Sequence, residues 1–380
     1  MWKRILGDKL LVIKELKSAE ELFKIEHNWN SILAGSETNT IFQSFEWVST
    51  WWKFFNHGKE LMVLLIYDKD DDLPSGIAPL MINSESGRKI VEFIGSPLSD
   101  YSDFILCNKK EESIRLLFSY LLENKGRWDR IRLEEIPANS STIEISGNAL
   151  RQAKSNFDIH FNNDCHSLLL SDGNFVAEIM RKRDISRHTR YFEENGTLSF
   201  RIITDRELKQ SMDYFLDQHA RQWQSRQMES AFLKKENKEF LIYLAQVLIR
   251  KDKLHLWSLN FNDVPIAFQF GFNHNNKYLA YCQSYDISFS KFAPSMILFR
   301  FLIAEYSKKN YSEVDFSRGS EQYKFRFSNK KTSNFGISIN KSSISNLVGK
   351  GYNRIKEKIM KNPSLHEKIN KYKSKLSNIL

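Results

Sequence analysis

The stretch SKFAPS at residues 290–295 opens an apolar helical pattern and has the composition of an anion-binding helix start. The first N–H groups of a helix have no partner within it, and the helix dipole adds partial positive charge beside them. Pro294 suits the first helical position. Lys291 adds a cation and Ser295 a hydroxyl. The pattern predicts an anion site; the alternative is a well-capped structural helix with no ligand.

A phenol and a carboxylate, Tyr285 and Asp286, stand where the preceding strand ends. Side chains at such a position can point into a cleft, so Tyr285 is a candidate proton donor and Asp286 a candidate base or acceptor-orienting group. Asp315, at the end of the final predicted strand, is open to the same interpretation. Asp is also common in turns, so a turn-capping role is an equal alternative for both.

Three cations, Arg318, Lys324 and Arg326, fall within nine residues after that final strand. Guanidinium and ammonium groups bind phosphate, so this cluster, with Tyr323, predicts contacts to an anionic acceptor such as a phosphate-linked sugar. Lys324 is the strongest single candidate. The alternative is a strand over 323–327 with aromatic residues on one face and solvated cations on the other.

A loop in the first half carries Asp100, Tyr101 and Asp103. Two carboxylates and a phenol could receive an acceptor hydroxyl or ammonium group, although they are equally typical of a polar turn. The helix before this loop is so aromatic that it must be buried. Trp47 on that helix is a candidate for packing and for lining a sugar site.

Other catalytic constellations are missing from the sequence. The nine His form no metal-ligand spacing, and neither a nucleophile elbow nor a GxxxxGK[ST] motif occurs. We therefore predict no metal. His219, near Trp223, is a possible base, but a hydrogen-bonded structural His is the favoured interpretation.

Length and composition indicate two globular domains. The chain has 380 residues, whereas a single core usually stops growing at roughly 250–300. With 41% apolar residues and only 7 Pro, wholesale disorder is excluded. Three scattered Cys favour a reducing cytosol, and no apolar stretch is long enough to span a bilayer. We expect a cytoplasmic protein.

The net charge of +10 is concentrated at the C-terminal end. Residues 341–380 hold ten Lys and Arg against two Glu, a net of +8, which leaves +2 for the rest. The nearly neutral body argues against nucleic acid as a partner. The tail interleaves apolar residues with Lys, which predicts a basic helical segment. This segment either packs on the second domain or contacts an anionic membrane at its inner face.

The same order of elements is predicted twice. In the first half, a helix at 44–55 precedes strands at 61–67, 76–82 and 90–94, a helix at 111–124 and a strand at 129–135. In the second half, helices at 205–221 and 236–250 precede strands at 254–260, 264–272 and 277–285, a helix at 294–309 and a strand at 312–316. This repetition indicates a fold-level duplication. Between the copies, a basic cluster at 181–190 predicts a linking helix with one polar, solvated face.

Three motifs carry a family resemblance: FQSFEWVSTWWKFF at 42–55, FIGSPLSDYSDF at 93–104, and AYCQSYDISFSKFAPSMILFRFL at 280–302 with VDFSRGSEQYKFRF at 314–327. In this order and spacing they resemble the CelD/BcsL-type acetyltransferases. That bacterial group belongs to the GNAT superfamily, is named for polysaccharide gene clusters, and is similar in layout to the FemABX aminoacyl transferases. The resemblance covers about residues 40 to 330.

The resemblance implies an α/β (α+β) fold with two tandem GNAT-like domains, each a mixed central sheet flanked by helices. We place the N-terminal domain at 1–150, the acyl-donor-binding domain at 151–340 and the basic helical tail at 341–380. The implied reaction moves an acyl group, most simply acetyl, from acyl-CoA to an amine or hydroxyl of a small-molecule or saccharide acceptor. A sugar, a polysaccharide precursor or a cell-envelope metabolite fits, with direct attack on the thioester.

The resemblance implies a role for each candidate residue. The acyl-CoA contacts are Gln283, Lys291, Ala293, Ser295 and Met296, the catalytic residues are Tyr285, Asp286 and Asp315, and the substrate contacts are Trp47, Asp100, Tyr101, Asp103, Arg318, Tyr323 and Lys324. Tyr285 would protonate the leaving thiolate, and a backbone N–H near Gln283 would polarise the carbonyl. The family usually has Gly where Ser295 stands. Two alternatives are aminoacyl transfer from charged tRNA and a non-catalytic GNAT-like binding module.

Overall fold

The computed structural model describes residues 3–4, 11–69 and 73–341. The described residues form two compact units. One runs to Asn163 and resumes at Thr332, and the other comprises Asp164–Lys331. Apart from Lys341, the predicted basic tail lies outside the described residues.

The first unit is built on a mixed sheet. Its strands are β1 (Lys3–Arg4), β2 (Leu11–Leu16), β3 (Glu60–Asp68), β4 (Pro74–Glu85), β5 (Arg88–Phe93), β6 (Ile105–Leu106), β7 (Arg130–Pro137) and the first part of β8 (Phe157–Leu169). Strands β2 to β5 pair antiparallel in chain order, and β5 pairs parallel with β7. Short β1 and β6 add to β2 and β4.

Among its described residues this unit has five α-helices: α1 (Ala19–Phe23), α2 (Glu26–Ala34), α3 (Phe45–Phe55), α4 (Lys110–Glu123) and α5 (Ser141–Gln152). Helix α3 begins after Ser44, whose Oγ accepts from the Trp47 N–H, as expected of a helix N-cap. Helix α4 contributes Ile114, Leu117 and Leu121 to the buried core of the sheet. This spacing of three and four residues explains why one face of α4 is apolar.

The second unit repeats the plan. Its helices are α6 (Gly173–Met180), α7 (Arg183–Asn195), α8 (Leu208–Ser225), α9 (Lys235–Ile249), α10 (Pro294–Lys308) and α11 (Gln322–Phe327). Its strands are β9 (Leu198–Ile202), β10 (Leu254–Phe261), β11 (Val264–His274), β12 (Lys277–Tyr285) and β13 (Glu313–Arg318), and β14 (Lys330–Asn340) follows. Strands β9 to β12 pair antiparallel in chain order, and β12 pairs parallel with β13.

The strand that pairs with the last strand of each repeat comes from a distant part of the chain. In the first unit β7 pairs with β14, over Asn334–Asn340, and in the second unit β13 pairs with the Cys165–Leu169 part of β8. The strand after the first repeat therefore completes the second unit, and the strand after the second repeat completes the first. For this reason residues 151–163 and 332–340 lie in the first unit, not in the second domain where the sequence-based bounds placed them.

The helices and strands predicted from periodicity are confirmed, with ends that differ by a few residues. The alternative interpretation of 323–327 as a strand is wrong, because these residues belong to the short helix α11. Strands β1, β2, β6, β8, β9 and β14 and helices α1, α2, α5, α6 and α11 were not predicted.

Candidate functional site

The parallel strands β12 and β13 of the second unit separate towards their carboxyl ends. They pair at only three positions, from Lys277 opposite Glu313 to Leu279 opposite Asp315. Beyond these pairs β12 continues to Tyr285. A register shift against β11 places Tyr281 as an extra residue, because Gly271 pairs with Ala280 and Phe270 with Cys282. Such bulges bend a strand and often lie beside functional sites.

Helix α10 starts directly after this strand end. A short 3₁₀ helix, Ile287–Phe292, leads into Ala293, which has φ 49° and ψ 55° and caps α10 without a side-chain hydrogen bond. Pro294 takes the first helical position, as predicted. Lys291 is exposed, and its Nζ lies 4.8 Å from the centre of the Phe292 ring. The helix start thus has no acidic residue in its first turn and a cation beside it.

Ser295, in the first turn of α10, has a buried hydroxyl without a partner. The residue is 6% exposed, and its Oγ makes no hydrogen bond to any described residue. A buried polar group left unpaired costs about 1–3 kcal/mol, so native proteins keep few of them. The Ser295 hydroxyl is therefore available to pair with a ligand at the helix start.

Two glutamine carboxamides on the neighbouring strands share this property. Gln283 on β12 lies opposite Gln269 on β11. The Oε1 atoms of both are buried and accept no hydrogen bond from a described residue. The Nε2 of Gln269 is satisfied by the Cys282 carbonyl at 3.1 Å. Two carbonyl oxygens are therefore available to a ligand with N–H or O–H groups.

The predicted acid and base lie at the end of β12. The Tyr285 hydroxyl accepts a hydrogen bond from Arg226 at 3.4 Å, so its own proton can be donated elsewhere. Asp286 Oδ1 accepts from both the N–H and the hydroxyl of Ser288, which is the turn-capping arrangement. Asp315 Oδ1 likewise accepts from the Ser317 N–H at 2.7 Å. Both aspartates thus stabilise turns with one oxygen.

Lys324 is buried and already paired. It is 3% exposed, its Nζ donates to the Arg318 carbonyl, and it forms an ion pair with Glu321 at 2.9 Å. Tyr323 beside it stacks on Phe299 of α10, with ring centres 5.5 Å apart. In this structure Lys324 closes the turn after β13 and Tyr323 packs on α10.

The candidate acceptor residues of the first unit lie in a buried layer. Phe42 contacts both Trp47 and Tyr101, at 4.7 Å and 6.1 Å between ring centres. The Trp47 indole N–H donates to Ser99 Oγ at 2.9 Å. Gly95 has φ 107°, and a Cβ there would lie 2.2 Å from Ser99 Oγ, so the loop needs glycine at this position. Trp47 and Tyr101 are thus brought together through their contacts with Phe42 in the interior of the first unit.

Asp103 is fully enclosed by hydrogen-bond donors. Its Oδ2 accepts from Thr38 Oγ1 at 2.8 Å and from Ser140 Oγ at 2.5 Å, and its Oδ1 accepts from the Phe104 N–H at 2.8 Å. Burial raises the pKa of this carboxyl, and the hydrogen bonds oppose that rise. Asp103 therefore ties three segments of the first unit together.

A buried polar network that the sequence did not predict lies next to Asp100. Glu135 accepts from Asn163 Nδ2 at 2.6 Å and from Asn334 Nδ2 at 2.9 Å, and Asn334 also donates to the Asp100 carbonyl. Glu135 has φ 63°, an uncommon conformation for a residue with a side chain. Asn334 lies 199 residues from Glu135, so no local pattern could have revealed the network.

The corresponding helix start in the first unit does not suit an anion. Helix α4 carries Glu111 and Glu112 in its first turn, where negative charge opposes binding of another anion. The nearby cations are engaged, since Lys109 pairs with Asp68 and Lys110 pairs with Glu37.

His219 is a structural residue, the interpretation favoured from the sequence. Its Nε2 accepts from the Trp223 indole N–H at 2.9 Å, and its Nδ1 lies 2.8 Å from Ser230 Oγ. Burial, with a smaller contribution from Arg226, lowers the pKa of His219 to about 4. The ring is neutral at pH 7 and has both nitrogens occupied.

None of the helices within residues 11–69 and 73–341 is long and apolar enough to cross a membrane. Over the same residues, no group of three or more His, Cys, Asp or Glu is arranged to hold a metal ion.

Comparison with known proteins points to one domain family and one fold. Residues 180–325, in the second unit, match the family model of an acetyltransferase (GNAT) domain. No curated protein matches the chain significantly. Similar solved structures include a conserved protein of unknown function from Bacteroides thetaiotaomicron, with 13% identity over 86% of this chain and 100% of that one and a TM-score of 0.57.

Two further similar structures are FemX and L-PGS from Bacillus licheniformis. FemX has 9% identity over 85% of this chain and 96% of its own, with a TM-score of 0.57. L-PGS has 12% identity over 87% and 95%, with a TM-score of 0.53. At these identities the likeness shows the fold alone. The predicted α/β class with GNAT-like units is confirmed, whereas the CelD/BcsL-type assignment stays a prediction.

Proposed function

We propose that this chain, whose residues 180–325 match the model of a GNAT acetyltransferase domain, transfers an acyl group from acyl-CoA to an amine or hydroxyl. The acceptor we propose is a sugar, a polysaccharide precursor or a related cell-envelope metabolite. The observation that carries the proposal is the buried, unpaired hydroxyl of Ser295 at the start of α10.

The start of α10 fits the phosphates of an acyl-CoA. Its first N–H groups and the helix dipole favour an anion, Lys291 adds a positive charge, and the Ser295 hydroxyl can donate a hydrogen bond. The separation of β12 from β13 gives an extended ligand room to lie along β12. The unpaired oxygens of Gln283 and Gln269 suit the amide N–H groups of the pantetheine arm.

The proposed chemistry is a single displacement at the thioester carbonyl. The acceptor nitrogen or oxygen forms a bond to the carbonyl carbon, the carbon–sulfur bond breaks, and the thiolate takes up a proton. Tyr285 supplies that proton, because Arg226 holds its hydroxyl as an acceptor and leaves its hydrogen available. Asp286 receives the acceptor proton through Oδ2, which pairs with no described residue, while Oδ1 caps the turn.

We assign the acyl-CoA site to the second unit because the equivalent helix start in the first unit is acidic. In the first unit, the helix that follows the equivalent strand has Glu111 and Glu112 in its first turn. Two carboxylates there would repel a pyrophosphate, whereas the first turn of α10 contains none.

A thiol-release assay tests the proposed reaction. Acetyl-CoA is incubated with the protein and a panel of amino sugars, sugar phosphates and nucleotide sugars, and free thiol is measured. We expect release that depends on one class of acceptor. Absence of acceptor-dependent release with acetyl-CoA and with longer acyl-CoAs contradicts the proposal.

Aminoacyl transfer from charged tRNA is the second candidate, because the sequence resembles the FemABX aminoacyl transferases and FemX shares the fold. Incorporation of a radiolabelled amino acid from charged tRNA into an acceptor would support it. Binding of acyl-CoA without transfer to any acceptor would support the third alternative, a non-catalytic binding module.

A further inference from the structure

A surface beside the start of α10 combines stacked rings with cations. Tyr191 of α7 stacks on Phe292, with ring centres 3.7 Å apart and an interplanar angle of 15°. Tyr191 is 38% exposed, and Lys291 lies over Phe292. Arg187, also exposed, stands one helical turn before Tyr191. We call Arg187, Tyr191, Lys291 and Phe292 the ring-and-cation surface.

This surface is held firmly next to the proposed phosphate site. Arg300 of α10 donates to Ser186 Oγ at 2.8 Å and to Thr189 Oγ1 at 2.6 Å, which fixes α7 against α10. Phe192 packs on Phe292 at 5.5 Å from the inner side. Phe292 itself is only three residues before Ser295. The surface therefore has a fixed position next to the start of α10.

The exposed side of α7 beside this surface carries several arginines. Arg183, Arg187 and Arg190 are exposed, and none forms an ion pair with a described residue. Their spacing of four and three residues places them along one side of the helix. Asp184, in the first turn of α7, pairs with Arg326, and Glu193 and Glu194 follow in the last turn. Ordinary solvation explains exposed arginines in general, but Arg187 also lies four residues before Tyr191, on the same side of α7 as the stacked pair.

A flat ring system and a guanidinium together recognise a phosphorylated purine nucleoside. The rings offer stacking, and Arg pairs with phosphate through two parallel N–H groups. We infer that the ring-and-cation surface binds the phosphorylated adenosine at the end of the acyl donor. This rests on the proposed function, which places the donor phosphates at α10.

A surface that binds adenosine distinguishes between possible acyl donors. The adenosine of CoA carries a 3′-phosphate, and charged tRNA also ends in an adenosine nucleotide. An acyl group on a protein-bound phosphopantetheine has the same thioester without any adenosine. The surface thus favours a nucleotide-bearing donor over an acyl carrier protein.

Calorimetric titration with three ligands tests the inference. The ligands are acetyl-CoA, acetyl-dephospho-CoA and adenosine 3′,5′-bisphosphate. The second lacks the 3′-phosphate, and the third lacks the thioester. The variants are Arg187→Ala and Tyr191→Leu. Lys209→Ala, which removes an exposed charge from the first turn of α8, is the matched control. A tRNA with and without its 3′-terminal adenosine forms a separate arm that distinguishes the second source of adenosine.

We expect wild type to bind acetyl-CoA about tenfold more tightly than acetyl-dephospho-CoA, and Arg187→Ala to remove that difference. Tyr191→Leu should weaken both, and Lys209→Ala should change neither. Equal affinity of wild type for both acyl compounds overturns the inference and leaves acyl transfer intact. The bisphosphate or the tRNA end could instead bind in an Arg187-dependent way while no acyl-CoA supports transfer. That result supports the inference about the surface and refutes acyl-CoA as the donor. Failure of all these ligands to bind overturns both.

Discussion

The Tyr285 hydroxyl accepts a hydrogen bond from the guanidinium of Arg226, which lies 59 residues earlier in the chain, at 3.4 Å. The bond joins the end of β12 to the residue that follows α8. It orients the phenol and occupies a lone pair of its oxygen, so that the phenol proton remains for another acceptor. In the proposed reaction that acceptor is the thiolate of the departing CoA.

Replacing Tyr285 by Phe therefore has a kinetic signature. We expect kcat to fall about 10²-fold with little change in KM, because the proton is needed only as the carbon–sulfur bond breaks. The measurement is thiol release at saturating acetyl-CoA. Tyr214→Phe, at an exposed site on α8, is the control. An unchanged kcat in Tyr285→Phe would remove Tyr285 from the mechanism.

Ser295 should show opposite effects on stability and on binding. Its buried hydroxyl has no partner, so Ser295→Ala should leave the free energy of unfolding unchanged or raise it by up to about 1 kcal/mol. The same variant should weaken acetyl-CoA binding several-fold. Urea denaturation and calorimetry measure the two quantities. Loss of stability together with unaltered binding would show that the hydroxyl serves the fold.

His219 should make the second unit sensitive to acid. Its folded pKa of about 4 lies below the ordinary value of 6.5, so the unfolded chain takes up the proton first. Stability is then lost as the pH falls from about 6.5 to 4, by up to about 3 kcal/mol. Denaturant titrations of wild type and His219→Gln over this range provide the test. A slope with pH that is the same in both proteins would contradict the assignment.

Lys324 should contribute to stability more than its exposed neighbour. Lys324→Ala removes the donor to the Arg318 carbonyl and the partner of Glu321, and should cost about 1–3 kcal/mol. Arg326→Ala removes only the exposed ion pair with Asp184 and should cost less than about 1 kcal/mol. The comparison is made by urea denaturation at low salt. Equal costs would show that burial of Lys324 does not strengthen its interactions.

Much of the fold was predictable because apolar periodicity is a local property of the sequence. Strand β12 was predicted with its observed ends, and the helix after it was predicted from Pro294 and the apolar spacing that follows. Strands β8 and β14 were not predicted. They are rich in Asn, His and Lys, and their partners β13 and β7 are distant in the sequence, so neither periodicity nor neighbourhood indicated them.

The candidate site was predictable only in part. The composition around Ser295 identified the helix start, but only the structure shows that its hydroxyl is unpaired. Lys324 was expected to face a ligand, whereas the positive φ values of Ser317 and Gly319 turn the chain so that the lysine meets the Arg318 carbonyl. Backbone conformation after a strand depends on tertiary contacts, which composition does not specify.

The most direct test of the account is calorimetric titration of the purified protein with acetyl-CoA, in wild type and in Lys291→Ala. The account predicts saturable binding to one site per chain in wild type and an affinity reduced about three- to tenfold in the variant, because Lys291 adds its charge beside the start of α10. Absence of saturable binding of acetyl-CoA and longer acyl-CoAs to wild type would contradict the account.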